Sequence, residues 1–167
     1  SVFPVEVTAS FITLDREYVV AVVRDVTERR QADRTLRASE ARFAGFMRHL
    51  PGLAWIKDRA GRYVFANDAF LAALGRPAGD VIGRSDADLV PPATAAEFRA
   101  NDLRAWASGS AVQTFETLTH HDGATRRSLV AKFPIAGTGY DPDLLGGVAV
   151  DATAQLAAEA RAREDEE

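Results

Sequence analysis

The sequence predicts an α+β protein, and three observations carry that prediction. Stretches with period-two or β-branched apolar patterning stand towards both ends. Helical patterns fill the ground between them, and Gly, Pro, Asn and Asp turn chemistry separates most segments from the next. A hydrophobic content of 47% with 26% charged residues is globular composition. At 167 residues the chain holds one ordinary domain with appendages.

Within residues 3–12, Val5, Val7, Ala9 and Phe11 recur at period two, and after Asp15-Arg16-Glu17 residues 18–23 are β-branched and apolar. Together they predict a β-hairpin. Asp25-Val26-Thr27 closes its second strand, and from Glu28 the pattern is helical. Over residues 28–50, Ala32, Leu36, Ser39, Phe43, Phe46 and Leu50 fall at alternating spacings of three and four, with Arg and Glu outside. The seam Ala32, Leu36, Phe43, Phe46 and Leu50 predicts a homodimer through a parallel pair of linker helices. A surface helix laid on its own domain would show the same stripe, and Ser39 weakens the seam.

Pro51-Gly52 stops that helix, and residues 53–58 and 62–66 predict a second hairpin around Arg59-Ala60-Gly61. Asn67 can cap a short helix that Gly75 ends. Residues 77–83 and 85–90 read as short helical turns, and 92–108, opened by Pro91-Pro92 and closed by Gly109, as the longest internal helix. Residues 112–119, 126–135 and 144–150 predict three more strands, joined at Asp122-Gly123 and by a longer loop over 137–142. After Asp151-Ala152-Thr153 the chain turns helical again.

The net charge of −4, with Arg dispersed, leaves no basic stripe for phosphates, so neither nucleic acid nor a membrane surface is expected as a partner. The absence of Cys removes disulfides, thiolate nucleophiles and sulfur-attached chromophores, and points to the reducing cytoplasm. No apolar run approaches the ~20 residues of a membrane helix. The opening segment is extended rather than a signal peptide, and the expectation is that the natural product continues in both directions.

Val22-Val-Arg-Asp25-Val-Thr27 recurs as Val148-Ala-Val-Asp151-Ala-Thr153, 126 residues downstream. Both copies end a strand and begin an Arg- and Ala-rich helix, so residues 1–27 read as the tail of a preceding domain of the same kind.

The order of elements, together with Asp58-Arg-Ala-Gly61-Arg-Tyr, Asn67-Asp-Ala-Phe70, Gly75, Val81-Ile-Gly83, Ser85-Asp-Ala-Asp88-Leu89 and Glu97-Phe98 to Asp102, resembles the PAS domain family of sensor modules. Val90 stands where that family usually has Phe. The resemblance implies a five-stranded antiparallel sheet with flanking helices, a central apolar cavity, and helices at both ends that relay a signal. It divides the chain into a preceding-domain fragment (1–27), a linker helix (28–50), a PAS domain (51–153) and an exit helix (154–167) leading to an output domain in cis. Kinase, cyclic-dinucleotide enzyme and transcription factor are equally open as outputs.

Haem-binding relatives place an iron-ligating His on the long helix, and residues 92–108 hold none. Photo-adduct flavin chemistry needs a Cys. No metal site is expected, and the cofactor is unknown. His49 lacks the surroundings of a phosphoacceptor, His120 and His121 read as a solvated hairpin end, and Asp86 and Asp88 as helix caps. Gly137-Thr-Gly139 lacks the helix and Lys of a phosphate loop, and Gly146-Gly147 reads as a bulge or close packing.

The expected cavity lining is Trp55, Phe65, Phe70, Phe98, Asp102, Trp106, Phe115 and Phe133, around a possible small-molecule ligand. A buried Asp102 needs a partner, which Arg99, Arg104 or a cationic or hydroxylated ligand could supply. Asp25, Thr27, Asp151 and Thr153 are the expected relay residues, fixing how a strand enters a helix. A ligand-free spacer, or a small cavity enzyme with Asp102 as base, are the alternatives.

Overall fold

Strand β1 (Val5–Thr13) and strand β2 (Glu17–Asp25) form a two-stranded antiparallel ribbon in the computed structural model, which describes residues 2–13, 15–138 and 143–164. Residues 139–142 of the loop expected over 137–142, and 165–167 of the exit helix, lie outside the described residues. The chain divides into two compact units, at residues 46 and 47.

In the first unit, register runs from Val5↔Asp25 to Thr13↔Glu17 without a bulge. Val7, Phe11, Val19, Val22 and Val23 are exposed, as a ribbon without a covering layer must leave them. Val26 N donates to Pro4 O at 3.1 Å, and the chain enters α1 (Thr27–His49), in which no residue is buried.

The second unit is a five-stranded antiparallel sheet of order β4-β3-β7-β6-β5. Its members are β3 (Leu53–Lys57), β4 (Tyr63–Ala66), β5 (Val112–Thr119), β6 (Thr125–Ile135) and β7 (Leu144–Asp151). Between β4 and β5 come α2 (Asp68–Leu74), α3 (Ala78–Val81), α4 (Asp86–Leu89) and α5 (Pro92–Ser108), and after β7 comes α6 (Thr153–Glu164). These bounds follow the sequence patterns closely because turn residues punctuate them. Gly61 and Gly123 adopt positive φ in the two hairpin turns, and Gly75 and Gly109 close α2 and α5 in the left-handed region.

Side chains alternate across a strand, so register decides what faces the helices. Trp55↔Gly147, Lys57↔Leu145, Lys132↔Gly147 and Val130↔Ala149 put these residues on the inner, helix-covered face. Ile56↔Phe65, Ile56↔Gly146, Phe133↔Gly146 and Phe115↔Leu129 lie on the other. The apolar core on the inner face gathers Trp55, Tyr63, Phe70, Val81, Val130 and Ala149. The Phe70 ring lies 5.4 Å from Trp55 and 5.2 Å from Tyr63, tilted to both.

The two adjacent glycines of β7 are a packing device and not a bulge. A Cβ on Gly147 would enter the Trp55 indole on the inner face, and one on Gly146 would meet Phe133 on the outer face. Asn67 is similarly committed. Its Oδ1 accepts from Phe70 N and Ala54 N, both at 3.0 Å, while its Nδ2 donates to Gly52 O at 3.0 Å. One side chain thus caps α2 and ties the Pro51-Gly52 turn to the sheet.

Candidate functional site

The centre of the inner face is ionic where an apolar cavity was expected. Lys57 and Lys132 are each 1% exposed, and the carboxylates around them belong to Asp86, Asp102 and Glu116. Strand alternation brings the lysines here, since Lys57 is in phase with Trp55 along β3 and Lys132 with Val130 along β6. Asp102 comes from the buried stripe of α5, with Phe98 one turn before it and Ala105 one turn after.

Lys57 Nζ donates to Asp86 Oδ2 at 2.5 Å and to Asp102 Oδ2 at 2.9 Å. Lys132 Nζ donates to Asp102 Oδ1 at 2.7 Å and Phe98 O at 3.1 Å, and pairs with Glu116 Oε1 at 2.7 Å. All three ammonium protons of Lys132 therefore have an acceptor. Tyr63 Oη donates to Asp86 Oδ1 at 2.6 Å, and Asn101 Nδ2 to Glu116 Oε1 at 2.9 Å. The ammonium groups also stand over aromatic rings, Lys57 Nζ 4.8 Å from the Tyr63 centroid and Lys132 Nζ 5.4 Å from that of Phe98. Burial, then the negative charge of Asp86 and its hydrogen bond, holds the Tyr63 phenol well above its ordinary pKa.

Two lysines against three carboxylates leave the cluster one negative charge in excess. Such a group is stable only while each charge keeps its partner. The cluster joins β3, β4, β5, β6, α4 and α5, so it fixes the sheet against the helices at one point.

Of the expected lining, Trp55, Phe70, Phe98 and Asp102 are buried on the inner side. Trp106 is half-buried on α5, with the Arg59 guanidinium 4.5 Å above its ring. Phe65, Phe115 and Phe133 are not brought to the site: register puts them on the outer face, where Phe115 is 40% exposed. Asp102 finds its counter-ions in the two lysines. Arg99 donates instead to Arg59 O at 3.3 Å, and Arg104 to Asn101 Oδ1 at 3.2 Å. Asp86 and Asp88 part company: Asp88 accepts from Ser85 N and Oγ, both at 2.8 Å, and caps α4, while Asp86 turns inward to Lys57 and Tyr63.

Lys57, Lys132 and Glu116 are the functional candidates that the sequence patterns did not single out, and Asp86 is the one they assigned to a cap. Their signal was available, since 18 Arg and only these two Lys make up the 20 basic residues, and both Lys sit in phase with inward apolar positions. A cleft of about 430 Å³, with Gly61, Ser85, Pro92, Ala95 and Arg99 in its walls, reaches Asp86 from outside. Trp55 Nε1 is buried with no acceptor among the described residues.

The two Asp-x-Thr joints are built alike. Thr27 N donates to Asp25 Oδ1 at 2.8 Å, and Thr153 N to Asp151 Oδ1 at 2.9 Å. The Val26 N to Pro4 O bond is matched by Ala152 N donating to Arg127 O at 2.9 Å, and the pair Val5↔Asp25 by Ser128↔Asp151. In the second joint Thr153 Oγ1 also accepts from Arg127 N at 2.9 Å, which fastens the start of α6 to β6. Hydrogen bonds from Thr27 and Thr153 hold Asp25 and Asp151 below the usual carboxylate range. No group of three potential metal ligands occurs among the described residues. No helix of the described residues is long and apolar enough to cross a membrane.

The uncharacterised protein y4lL of Sinorhizobium fredii is 31% identical over 93 residues, which cover 56% of this chain and 11% of that protein. VqmA of Vibrio cholerae, solved as a complex with ligand and DNA, superposes with a TM-score of 0.59 at 26% identity. That match covers 66% of this chain and 50% of the VqmA chain. The PAS domain of Bordetella pertussis BvgS gives a TM-score of 0.56 at 23% identity, covering 78% of this chain and 99% of its own. The model of the PAS fold matches residues 47–157, the five-stranded sheet and its helices together, and the chain belongs to the PAS family, a class of sensory modules.

Proposed function

We propose that the chain is a sensory and relay module of a longer signal-transduction protein, passing changes in its sheet to the helices at either end. The observation that carries this reading is the strand-to-helix joint made twice, at Asp25–Thr27 and Asp151–Thr153, with the same register and the same amide-to-carboxylate bond. In this reading residues 1–27 are the last two strands of a preceding PAS domain, 28–50 the linker, 51–153 the PAS domain and 154–167 the exit helix. The linker pairs with that of a second copy through Leu36, Phe43 and Phe46, which are 59%, 44% and 64% exposed.

The interior is the sensing element. A small hydroxylated or amine-bearing ligand entering by the cleft at Asp86 would meet the ion cluster at Asp86 and Lys57. The ligand complex of VqmA, at 26% identity, supports a ligand in this fold. β6 carries both Lys132, in the cluster, and Arg127, in the joint, so the two are linked through one strand. No catalysis is proposed. Both oxygens of Asp102 are taken by lysines and the residue has no exposed surface, so no substrate proton is within its reach.

Amide hydrogen exchange on Asp151→Ala tests the reading. The amides at the start of α6, Leu156 among them, are expected to lose protection while β6 and β7 keep theirs. Unchanged protection in α6 would show that the joint does not hold the helix, and the relay would fail.

A further inference from the structure

The inner sheet face carries a second polar site at its other end, separate from the cluster. Register sets Ser128 of β6 opposite Asp151 of β7, with Arg126 two residues before Ser128 on the same face. Together with His120, Leu53 and Ala69 of α2 they line an open cleft of about 340 Å³. Trp55, Val130 and Ala149 lie between this cleft and the lysines.

Its charges are loosely held. Arg126 Nη2 pairs with Asp122 Oδ2 at 2.9 Å, but Nη1 stands 3.9 Å from Asp151 Oδ2, at the outer limit of an ion pair. Asp151 Oδ1 is committed to Thr153 N, and Oδ2 is the oxygen that faces Arg126. Burial, and then the positive charge of Arg126, hold the His120 imidazole below its ordinary pKa, against opposing pulls from Asp122 and Asp151. The cleft presents the Arg126 guanidinium and the Asp151 carboxylate side by side. A simple anion placed there would meet Asp151, and a simple cation would meet Arg126.

We propose that this cleft binds a small aliphatic α-amino acid as its zwitterion, the carboxylate on Arg126 Nη1 and the ammonium on Asp151 Oδ2, with the side chain against Leu53 and Ala69. The ligand inserts into the 3.9 Å pair and replaces one weak, solvated contact by two charge-assisted hydrogen bonds. Because Asp151 also belongs to the exit-helix joint, occupancy would bear directly on α6. That consequence rests on the relay reading; the binding does not.

The test is an NMR titration of the ¹⁵N-labelled chain with L-valine, isovalerate or isobutylamine, each to roughly 10 mM. L-valine is expected to give saturable shifts at Leu53, Ala69, His120, Arg126 and Ser128. The two half-ligands, and L-valine on Arg126→Gln, are expected to bind at least about tenfold more weakly. Asp151→Asn keeps the Oδ1 acceptor of the joint and so the fold, and should weaken L-valine in the same way while leaving isovalerate unaffected. No saturable shift with L-valine, equal responses to all three compounds, or undiminished binding in both variants would overturn the proposal. Saturable shifts in the cleft with the amides of α6 unmoved would strike the relay reading and leave the site standing.

Discussion

Replacing Lys132 by Met keeps the unbranched apolar stem and removes the terminal ammonium, which isolates what that group does. In the native protein that group satisfies Asp102 Oδ1, Glu116 Oε1 and Phe98 O within 3.1 Å, at 1% exposure. Its loss leaves Lys57 alone against three buried carboxylates, two negative charges in excess. Breaking a buried pair by removing one partner costs about 3–5 kcal/mol. For a domain of this size that lowers the melting temperature on the order of 10–25 °C. Asp102→Asn keeps one acceptor oxygen, loses the other and brings the cluster to charge balance, so it should cost less, about 1–3 kcal/mol. Urea unfolding followed by tryptophan fluorescence measures both, and the double variant should lose less than the two together. A cost below about 1 kcal/mol for Lys132→Met, or a larger one for Asp102→Asn, would refute the reasoning that the cluster is dry and charge-limited.

Three further outcomes follow. Gly147→Ala drives a methyl group into the Trp55 indole and should destabilise by about 1–3 kcal/mol with a shift in tryptophan emission; an unchanged protein would mean that the indole has room to move. Tyr63, whose folded pKa is raised, contributes stability that is intact below the unfolded value of about 10 and declines as pH rises above it. In an absorbance titration one of the three tyrosines should ionise only as the protein unfolds, whereas three ionising together near pH 10 would contradict the Tyr63–Asp86 bond. Leu36→Asp and Phe43→Asp should each turn a dimer into monomers in sedimentation velocity, and a profile unchanged by both would remove the linker seam.

The fold was legible because its boundaries are written in local chemistry. Asn67, Gly75, Pro92 and Gly109 mark helix ends, and Gly61 and Gly123 mark hairpin turns, each acting through its own backbone. The site was less legible because alternation gives two faces without saying which is covered. On β5 and β6 both faces carry apolar residues, so Phe115 and Phe133 read as plausibly inward as Val130. Lysine is rarely buried, so Lys57 and Lys132 fell outside the expected core. Their scarcity in a chain of 18 arginines and their phase with Trp55 and Val130 are the signals that could have found them. Asp86 and Asp88 show the same limit in miniature: two acids at spacing two look alike as caps, and only the position of β3 sends one of them inward to Lys57.

The relay joint can be tested most directly by where the exit helix points. The chain has no cysteine, so Arg161→Cys places a single spin label on α6, and pulsed electron resonance reads the distance between the labels of a dimer. One defined distance is expected for the otherwise native chain, and a shifted or broadened distribution when Asp151→Ala is added. Identical distributions in the two proteins would contradict the relay, because the direction of α6 would then be set by something other than the joint that ties it to the sheet.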